Sequence, residues 1–223
     1  MSILVIAPHA DDETLGMGGT IAKYSEEQEI YIAILTGPGE TSHPFLDDNL
    51  LNTIREESKN ALKVLGITNV IYKELPPVTL SDKPIWELNK IINEIITTIN
   101  PEIIYIPYKN DLHVDHKVIS YATNVSCRPY LDNVSNLKKV LAYETLSETN
   151  LEYSTAPFVP NVYEDISKTI DKKLKALACY KSQLQSKYSP RTIETIRALG
   201  TLRGSHIGTN SAEGFLLLGE YIR

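Results

Sequence analysis

The sequence predicts an α/β fold that is Rossmann-like, with a mostly parallel sheet and helices on both faces. Short apolar runs rich in β-branched residues are typical of strands that are buried on both sides, as in parallel sheets. They alternate with longer segments whose apolar residues recur every three or four positions, which indicates amphipathic helices. Such alternation favours parallel pairing through right-handed crossovers. We expect residues 1–223 to form a single domain of this kind.

The predicted elements follow this alternation along the chain. The predicted strands are residues 3–7, 30–35, 70–72, 102–106 and 139–144. The first predicted helix begins after Glu13, and the others cover residues 51–65, 84–99, 115–126, 167–178 and 191–202. Gly66 follows the second helix and suits its end, where a left-handed backbone is favoured. Residues 204–214 are rich in glycine and are predicted to form a loop.

Composition and charge exclude several classes of function. The chain carries a net charge of −6, with a pI near 5.4, whereas nucleic acids require a basic surface, so we expect no nucleic acid partner. No apolar run approaches the roughly 18 residues of a membrane span, and the amino terminus lacks a signal-peptide pattern. Cys127 and Cys179 lie far apart, which favours free thiols and a cytoplasmic location.

The first candidate site follows the first predicted strand. Residues 7–16 read Ala-Pro-His-Ala-Asp-Asp-Glu-Thr-Leu-Gly and begin at a strand end, where open α/β sheets bind ligands. A histidine and two adjacent carboxylates are costly there for structure alone, because buried charges need a partner or a metal. His9 and one aspartate suit a catalytic metal, while the other aspartate can face a water molecule. The alternative is a polar turn in which an aspartate caps the next helix.

The second candidate site follows the strand predicted at residues 102–106. Residues 107–116 read Pro-Tyr-Lys-Asn-Asp-Leu-His-Val-Asp-His, so three of the five histidines lie directly after two predicted strands. Parallel strands end at the same edge of a sheet, and we therefore expect the third metal ligand from this segment. His113 and His116 are three residues apart, which places them on one face of a helical turn.

Together the two segments resemble the signature pair of the PIG-L/LmbE-type metal-dependent N-deacetylase family. The pair is Pro-His-Ala-Asp-Asp-Glu at residues 8–13, with Ala10 where the family more often has proline, and His-Val-Asp-His at residues 113–116. Weaker matches follow in the family's order at residues 55–57, 143–147, 160–163, 180–183, 203–204 and 212–215. The resemblance therefore extends along the whole chain.

The resemblance implies an amide hydrolase that removes an N-acetyl group from an amino sugar or an N-acetylglucosamine-type conjugate. In such an enzyme a metal-activated water molecule attacks the amide carbonyl. Carried over by position, His9, Asp12 and His116 are the metal ligands. Asp11 is implied as the general base, and His113 as the group that stabilises the oxyanion.

The resemblance assigns further roles to Asp115 and Arg55. Asp115 is expected to orient His113 and to favour its protonated form. Arg55 is expected to contact the sugar or its aglycone, although its position at the edge of an apolar helix stripe equally suits a surface residue. Two histidines and one carboxylate suit Zn²⁺, and Fe²⁺ uses the same set. The sequence leaves homo-oligomer formation open.

Two other functions remain open from the residues alone. Residues 16–19, Gly-Met-Gly-Gly, hint at a nucleotide-binding Rossmann enzyme, either an oxidoreductase or a methyltransferase. Their spacing is not G-x-G-x-x-G, and the neighbouring carboxylates would repel a pyrophosphate. A non-catalytic metal-binding module is the other alternative. His43 is expected to be a surface residue, and His206 is expected in a loop, where a role in the pocket stays open.

Overall fold

The protein is described by a computed structural model that covers residues 1–39, 43–151, 156–186 and 188–222. Its α/β architecture confirms the predicted fold class. The strands are β1 (Ser2–Ala7), β2 (Glu29–Thr36), β3 (Asn69–Leu75), β4 (Ile103–Pro107), β5 (Lys139–Tyr143), β6 (Val162–Asp165) and β7 (Ala212–Glu220). The helices are α1 (Asp12–Tyr24), α2 (Asp48–Leu65), α3 (Ile85–Ile99), α4 (Val114–Ser126), α5 (Ile170–Leu177) and α6 (Ile193–Ser205).

The strands form one sheet in the order β3-β2-β1-β4-β5-β7-β6. β1 to β5 run parallel to one another, whereas β7 runs antiparallel to both β5 and β6. β1 and β4 lie side by side near the centre, with Val5 opposite Tyr105. The carboxyl ends of these two strands therefore meet at the same edge, where each is followed by a helix.

The core lies on both faces of the sheet, because successive side chains of a buried strand point to opposite sides. Ile3 and Val5 of β1 belong to a cluster that includes side chains of α1, α2 and α5. Leu4 and Ile6 belong to a second cluster that includes side chains of α3 and α4. This two-sided burial explains why β1 reads as a continuous apolar run and not as an alternating one.

The predicted loop at residues 204–214 is confirmed for residues 206–211 and is wrong at both ends, because α6 continues to Ser205 and β7 begins at Ala212. Glycine in this segment has a packing role. A Cβ on Gly214 would lie 3.0 Å from Pro160 and 3.2 Å from Arg203, so the strand needs glycine where other chain segments approach closely. No strand was predicted for β6 either, since its four residues are not buried and show no apolar pattern.

Two expectations from composition can be compared with the structure. In the parts of the chain that the structure describes, none of the helices combines the length and apolar character that crossing a bilayer requires. Cys127 and Cys179 are both free thiols, as predicted.

Candidate active site

The candidate site lies where β1 and β4 end. After β1 the chain turns through His9 and Asp11 into α1, and after β4 it turns through Asp111 and His113 into α4. His113 caps α4, since its Nδ1 accepts a hydrogen bond from the Asp115 backbone N–H at 3.1 Å. Asp11 precedes α1 with a φ of 132°, in the region that disfavours side chains. Such strain is typical of functional sites that the surrounding structure holds in place.

His9, Asp12 and His116 come together at this edge of the sheet. One oxygen of Asp12, Oδ2, lies 3.2 Å from His9 Nδ1 and 3.2 Å from His116 Nε2. The three residues each offer a ligand atom, and these atoms lie within 4.8 Å of one another. Asp12 and His116 are fully buried. The structure thus brings together the three residues that the resemblance implied as metal ligands.

The residues of this cluster fit a divalent metal ion. Asp12 Oδ1 and His116 Nε2 are buried, and neither makes a hydrogen bond in the described parts of the chain. Buried polar atoms without a partner are rare in folded proteins and call for an explanation. Two imidazoles and a carboxylate are the donor set of a catalytic zinc site that keeps a position open. A cation bound there would satisfy both atoms.

Each of the two histidines is also hydrogen-bonded to a further carboxylate of its own. Asp115 Oδ2 lies 2.9 Å from His9 Nε2, and Asp111 Oδ2 lies 2.8 Å from His116 Nδ1. Asp111 is fixed in turn by the Thr149 hydroxyl, which donates to its Oδ1 at 2.6 Å. Carboxylates placed in this way set the tautomer and the orientation of metal-binding imidazoles. They leave His9 Nδ1 and His116 Nε2 directed at Asp12.

The expectation that the Asp115 side chain orients His113 is therefore wrong. Its carboxylate bonds His9 and accepts the backbone N–H groups of Val78 at 2.7 Å and Leu80 at 3.1 Å. These contacts fix the loop after β3 to the site. It is the backbone N–H of Asp115, and not its carboxylate, that bonds the His113 ring. The sequence pattern could not reveal this arrangement, because His9 lies 106 residues away from Asp115.

His113 is also neutral, contrary to the expectation of partial protonation. Burial, together with the nearby His9, lowers the pKa of the His113 imidazole to about 4, although the Asp115 charge acts in the opposite direction, as expected. Since Nδ1 accepts a backbone N–H, the ring proton belongs on Nε2. The ring lies 4.4 Å from that of His9, measured between centroids. His113 thus offers one N–H donor beside the cluster.

Asp11 does not belong to the group of three ligand residues, and its carboxylate has a hydrogen-bond partner of its own. Its Oδ2 accepts a hydrogen bond from Arg191 Nη1 at 2.7 Å. Burial raises the pKa of the Asp11 carboxyl to about 7, although the Arg191 charge opposes this shift. A carboxylate with a pKa near neutrality is suited to accept and return a proton. The two adjacent aspartates therefore have different surroundings.

The sequence analysis assigned no role to Arg191, Gln183 or Asp111, although Gln183 lies in the weak family match at residues 180–183. Arg191 and Gln183 bond each other at 3.2 Å in the segment between α5 and α6, and nothing local in the sequence marks Arg191. Asp111 stood inside the second motif, five residues before His116, and that short spacing was a usable signal.

A cavity of about 180 Å³ opens beside the cluster. Its lining includes His9, Asp11, His113 and Arg191, and also the predicted substrate residue Arg55. Arg55 forms an ion pair with Glu74, and its guanidinium stacks on the Tyr72 ring at 3.7 Å. Its charge is therefore balanced within the protein.

The remaining two histidines lie elsewhere. His43, expected on the surface, is buried: its Nδ1 accepts the backbone N–H groups of Phe45 and Leu46, and its Nε2 lies 2.7 Å from the Pro77 carbonyl. It joins two loops that line the cavity. His206 is exposed against Tyr163 and does not line the cavity.

The glycines of residues 16–19 are packing residues inside α1 and form no phosphate loop. A Cβ on Gly19 would come within 2.6 Å of Ile166, so glycine permits α1 to approach its neighbour. This arrangement removes the observation that favoured a nucleotide-binding enzyme.

Comparison with known proteins gives consistent results. A family model described as GlcNAc-PI de-N-acetylase (PIG-L) matches residues 4–126. The chain is 30% identical to an uncharacterized deacetylase of Escherichia coli (strain K12) over 81% of its own length and 90% of that protein. It is 28% identical to a probable N-acetyl-alpha-D-glucosaminyl L-malate deacetylase of Bacillus anthracis, over 83% of this chain and 82% of the relative.

Solved structures share the fold. The structure of an N,N'-diacetylchitobiose deacetylase from Pyrococcus horikoshii superimposes with a TM-score of 0.76 at 23% identity, covering 97% of this chain and 83% of that one.

Proposed function

We propose that this chain, which belongs to the GlcNAc-PI de-N-acetylase (PIG-L) family, is a metal-dependent hydrolase that removes the acetyl group from an N-acetylated amino sugar or its conjugate. The observation that carries the proposal is the cluster of His9, Asp12 and His116, in which Asp12 Oδ1 and His116 Nε2 are buried and make no hydrogen bond to any described residue. The relatives from Bacillus anthracis and Pyrococcus horikoshii act on N-acetylated sugars according to their names, which supports the same substrate class here.

His9, Asp12 and His116 would hold the metal, which we propose to be zinc. When bound, the ion supplies Lewis-acid chemistry that makes water a stronger nucleophile and polarises the amide carbonyl. Fe²⁺ is the other ion that this ligand set suits. Asp111 and Asp115 keep the two imidazoles in the tautomers that direct their free nitrogens toward Asp12.

The proton transfers are assigned to Asp11. Its carboxylate accepts a proton from the attacking water molecule and later delivers it to the amine as the C–N bond breaks, so that acetate and a free amine leave. Arg191 holds one carboxylate oxygen in place by its bond of 2.7 Å. The raised pKa of Asp11, about 7, suits both directions of transfer.

His113 and Arg55 would contact the substrate. The Nε2–H of neutral His113 would donate to the oxygen that becomes negative during attack, a contact that matters most in the transition state. Arg55 lines the same cavity, which supports a substrate contact for it. Because Glu74 balances its charge, that contact would be a hydrogen bond and not the binding of a substrate anion.

A screen for acetate release tests the proposal. Purified protein loaded with Zn²⁺ or Fe²⁺, and the same protein treated with a chelator, would be incubated with N-acetylated hexosamines and their glycosides. We expect metal-dependent acetate release from at least one sugar. Absence of release from every sugar under both metals would contradict the proposed function, and release without any metal would contradict the metal-dependent mechanism.

A further inference from the structure

Part of the cavity beside the catalytic cluster is apolar. Five of its lining residues, Leu46, Leu51, Ile54, Pro77 and Val78, define what we call the apolar wall. Leu51 and Ile54 share one face of α2, and Pro77 and Val78 lie in the loop after β3. The wall extends from buried Leu51, 4% exposed, to half-exposed Val78, 51% exposed. It therefore runs from the interior of the cavity to its mouth.

Val78 has an unusual backbone for its residue type. Its φ is 68°, in the left-handed region, where a β-branched side chain is a genuine outlier and where glycine is the usual residue. Its N–H donates to Asp115 Oδ2 at 2.7 Å, and this bond holds the loop in the strained conformation. Because the side chain remains half exposed, the folded chain gains little burial in return for this strain. The side chain is thus available to a ligand.

The charge on this side of the cavity is already balanced. Among the described lining residues, Arg55 is the cation next to the apolar wall, and Glu74 pairs with it. Its guanidinium also stacks on Tyr72 at 3.7 Å. A phosphate or carboxylate placed against the wall would lose water without meeting an unpaired cation, which is costly. Sugar hydroxyls in contact with leucine, isoleucine and valine would also lose hydrogen bonds.

We infer that the substrate carries an apolar aglycone, an alkyl or aryl group at its glycosidic position, which packs against the apolar wall. The inference rests on the proposed deacetylation and adds the class of conjugate. The acetyl group has only two carbons and must lie beside His9 and Asp11. The apolar wall continues to the half-exposed Val78 side chain at the mouth of the cavity. It therefore faces the part of the bound substrate that extends out of the cavity, which is the aglycone.

Kinetics on matched glycosides tests the inference. Acetate release would be measured for the methyl, phenyl and octyl glycosides of the sugar and for its 1-phosphate. We expect kcat/KM for the phenyl and octyl glycosides to exceed that of the methyl glycoside about 10-fold or more, mainly through a lower KM, because apolar burial is equally strong in ground and transition states. The 1-phosphate should gain nothing over the methyl glycoside.

The variant Val78→Asn should bring the ratio of phenyl to methyl kcat/KM down toward one. Asparagine tolerates a left-handed backbone better than valine does, so the variant should fold. Val159→Asn is the matched control, because Val159 is 64% exposed and does not line the cavity; the ratio should not change in this variant. Equal kcat/KM for all glycosides, or an unchanged ratio in Val78→Asn, would overturn the inference while leaving deacetylation intact. Preference for the 1-phosphate, or for an N-butyryl over an N-acetyl sugar, would overturn it too. Failure of every sugar to release acetate would instead overturn the proposed function.

Discussion

Two buried groups of ionisable side chains behave differently in this molecule. In one, Lys173 of α5 donates to Glu213 Oε1 at 2.6 Å and to the Leu15 carbonyl at 2.8 Å. Glu213 of β7 also accepts the backbone N–H groups of Gly19 and Thr20, at 2.9 and 2.7 Å. Both oxygens of this carboxylate are therefore bonded, and the pair joins α1, α5 and β7.

The cluster of His9, Asp12 and His116 is equally polar but incompletely bonded. Asp12 Oδ1 and His116 Nε2 lack a hydrogen bond in the described parts of the chain, and their ligand atoms converge. A buried charge pair with every atom satisfied contributes to the structure, whereas converging atoms without partners indicate a ligand. Burial and charge alone do not distinguish the two groups; completeness of bonding does.

The largest expected effect is loss of the metal on mutation of a ligand residue, which tests the difference between the two groups. His116→Ala should lose the metal and with it all measurable acetate release, since three protein ligands offer no redundancy. Metal analysis of the purified variant measures this. His206→Ala, which changes an exposed histidine outside the cavity, is the control and should keep full occupancy. A fully occupied His116→Ala protein would show that the ligand assignment is incorrect.

The next effect sharpens the difference between the adjacent aspartates. Asp11→Asn should retain the metal and lower kcat by about 10²- to 10⁴-fold, the usual contribution of general-base catalysis. Metal content and acetate release would be measured on the same preparation. If Asp11→Asn lost the metal while Asp12→Asn kept it, the two roles would be exchanged.

Mutation of the fully bonded pair of Lys173 and Glu213 should change the stability of the protein and leave metal binding unchanged. Lys173→Met leaves Glu213 buried without its cation, which typically costs about 3–5 kcal/mol of unfolding free energy. Urea denaturation measures the loss. The protein that remains folded should bind the metal in full; a loss of metal affinity at unchanged stability would mean that this pair belongs to the active site.

The smallest effect concerns Asp111, whose carboxylate bonds His116 Nδ1. Asp111→Asn should weaken metal affinity about 10- to 100-fold, as is usual for groups that orient a metal-binding histidine. A competition titration against a chelator measures the affinity. Asp132→Asn changes an exposed aspartate and provides the reference value. Equal affinity in the two variants would remove Asp111 from the site.

The sequence predicted what depends on local patterns. That His9, Asp12 and His116 are the ligand residues was implied by the family resemblance. Both motifs directly follow continuous apolar runs, so their meeting at one edge of the sheet could be expected from the sequence. The partner of Asp115 could not, because the pattern around residues 113–116 contains no information on which distant side chain faces it. Arg191 lies 180 residues from Asp11, and their contact depends on how the segment between α5 and α6 returns to the sheet.

The glycine-containing strand β7 shows a second limit of predicting structure from sequence. The predicted loop at residues 204–214 overlaps its first three residues, and no strand was predicted for the apolar run at residues 215–218. In the structure it is held by neighbours on both sides, β5 and β6. Pairing partners override the local preference of a strand in a way that one segment alone does not reveal.

The position of β7 between β5 and β6 also has a consequence for biosynthesis. β7 is the last of the described strands to leave the ribosome, whereas β6 emerges earlier and must wait for it. Until then β5 presents a row of unpaired backbone groups, a template for association with other nascent chains. Closure of the sheet also depends on contacts distant along the chain, which slows folding. A nascent chain that already contains His9, Asp12 and His116 thus passes through an interval in which its sheet is open on one side, and unpaired strand edges of this kind make folding chains prone to aggregate.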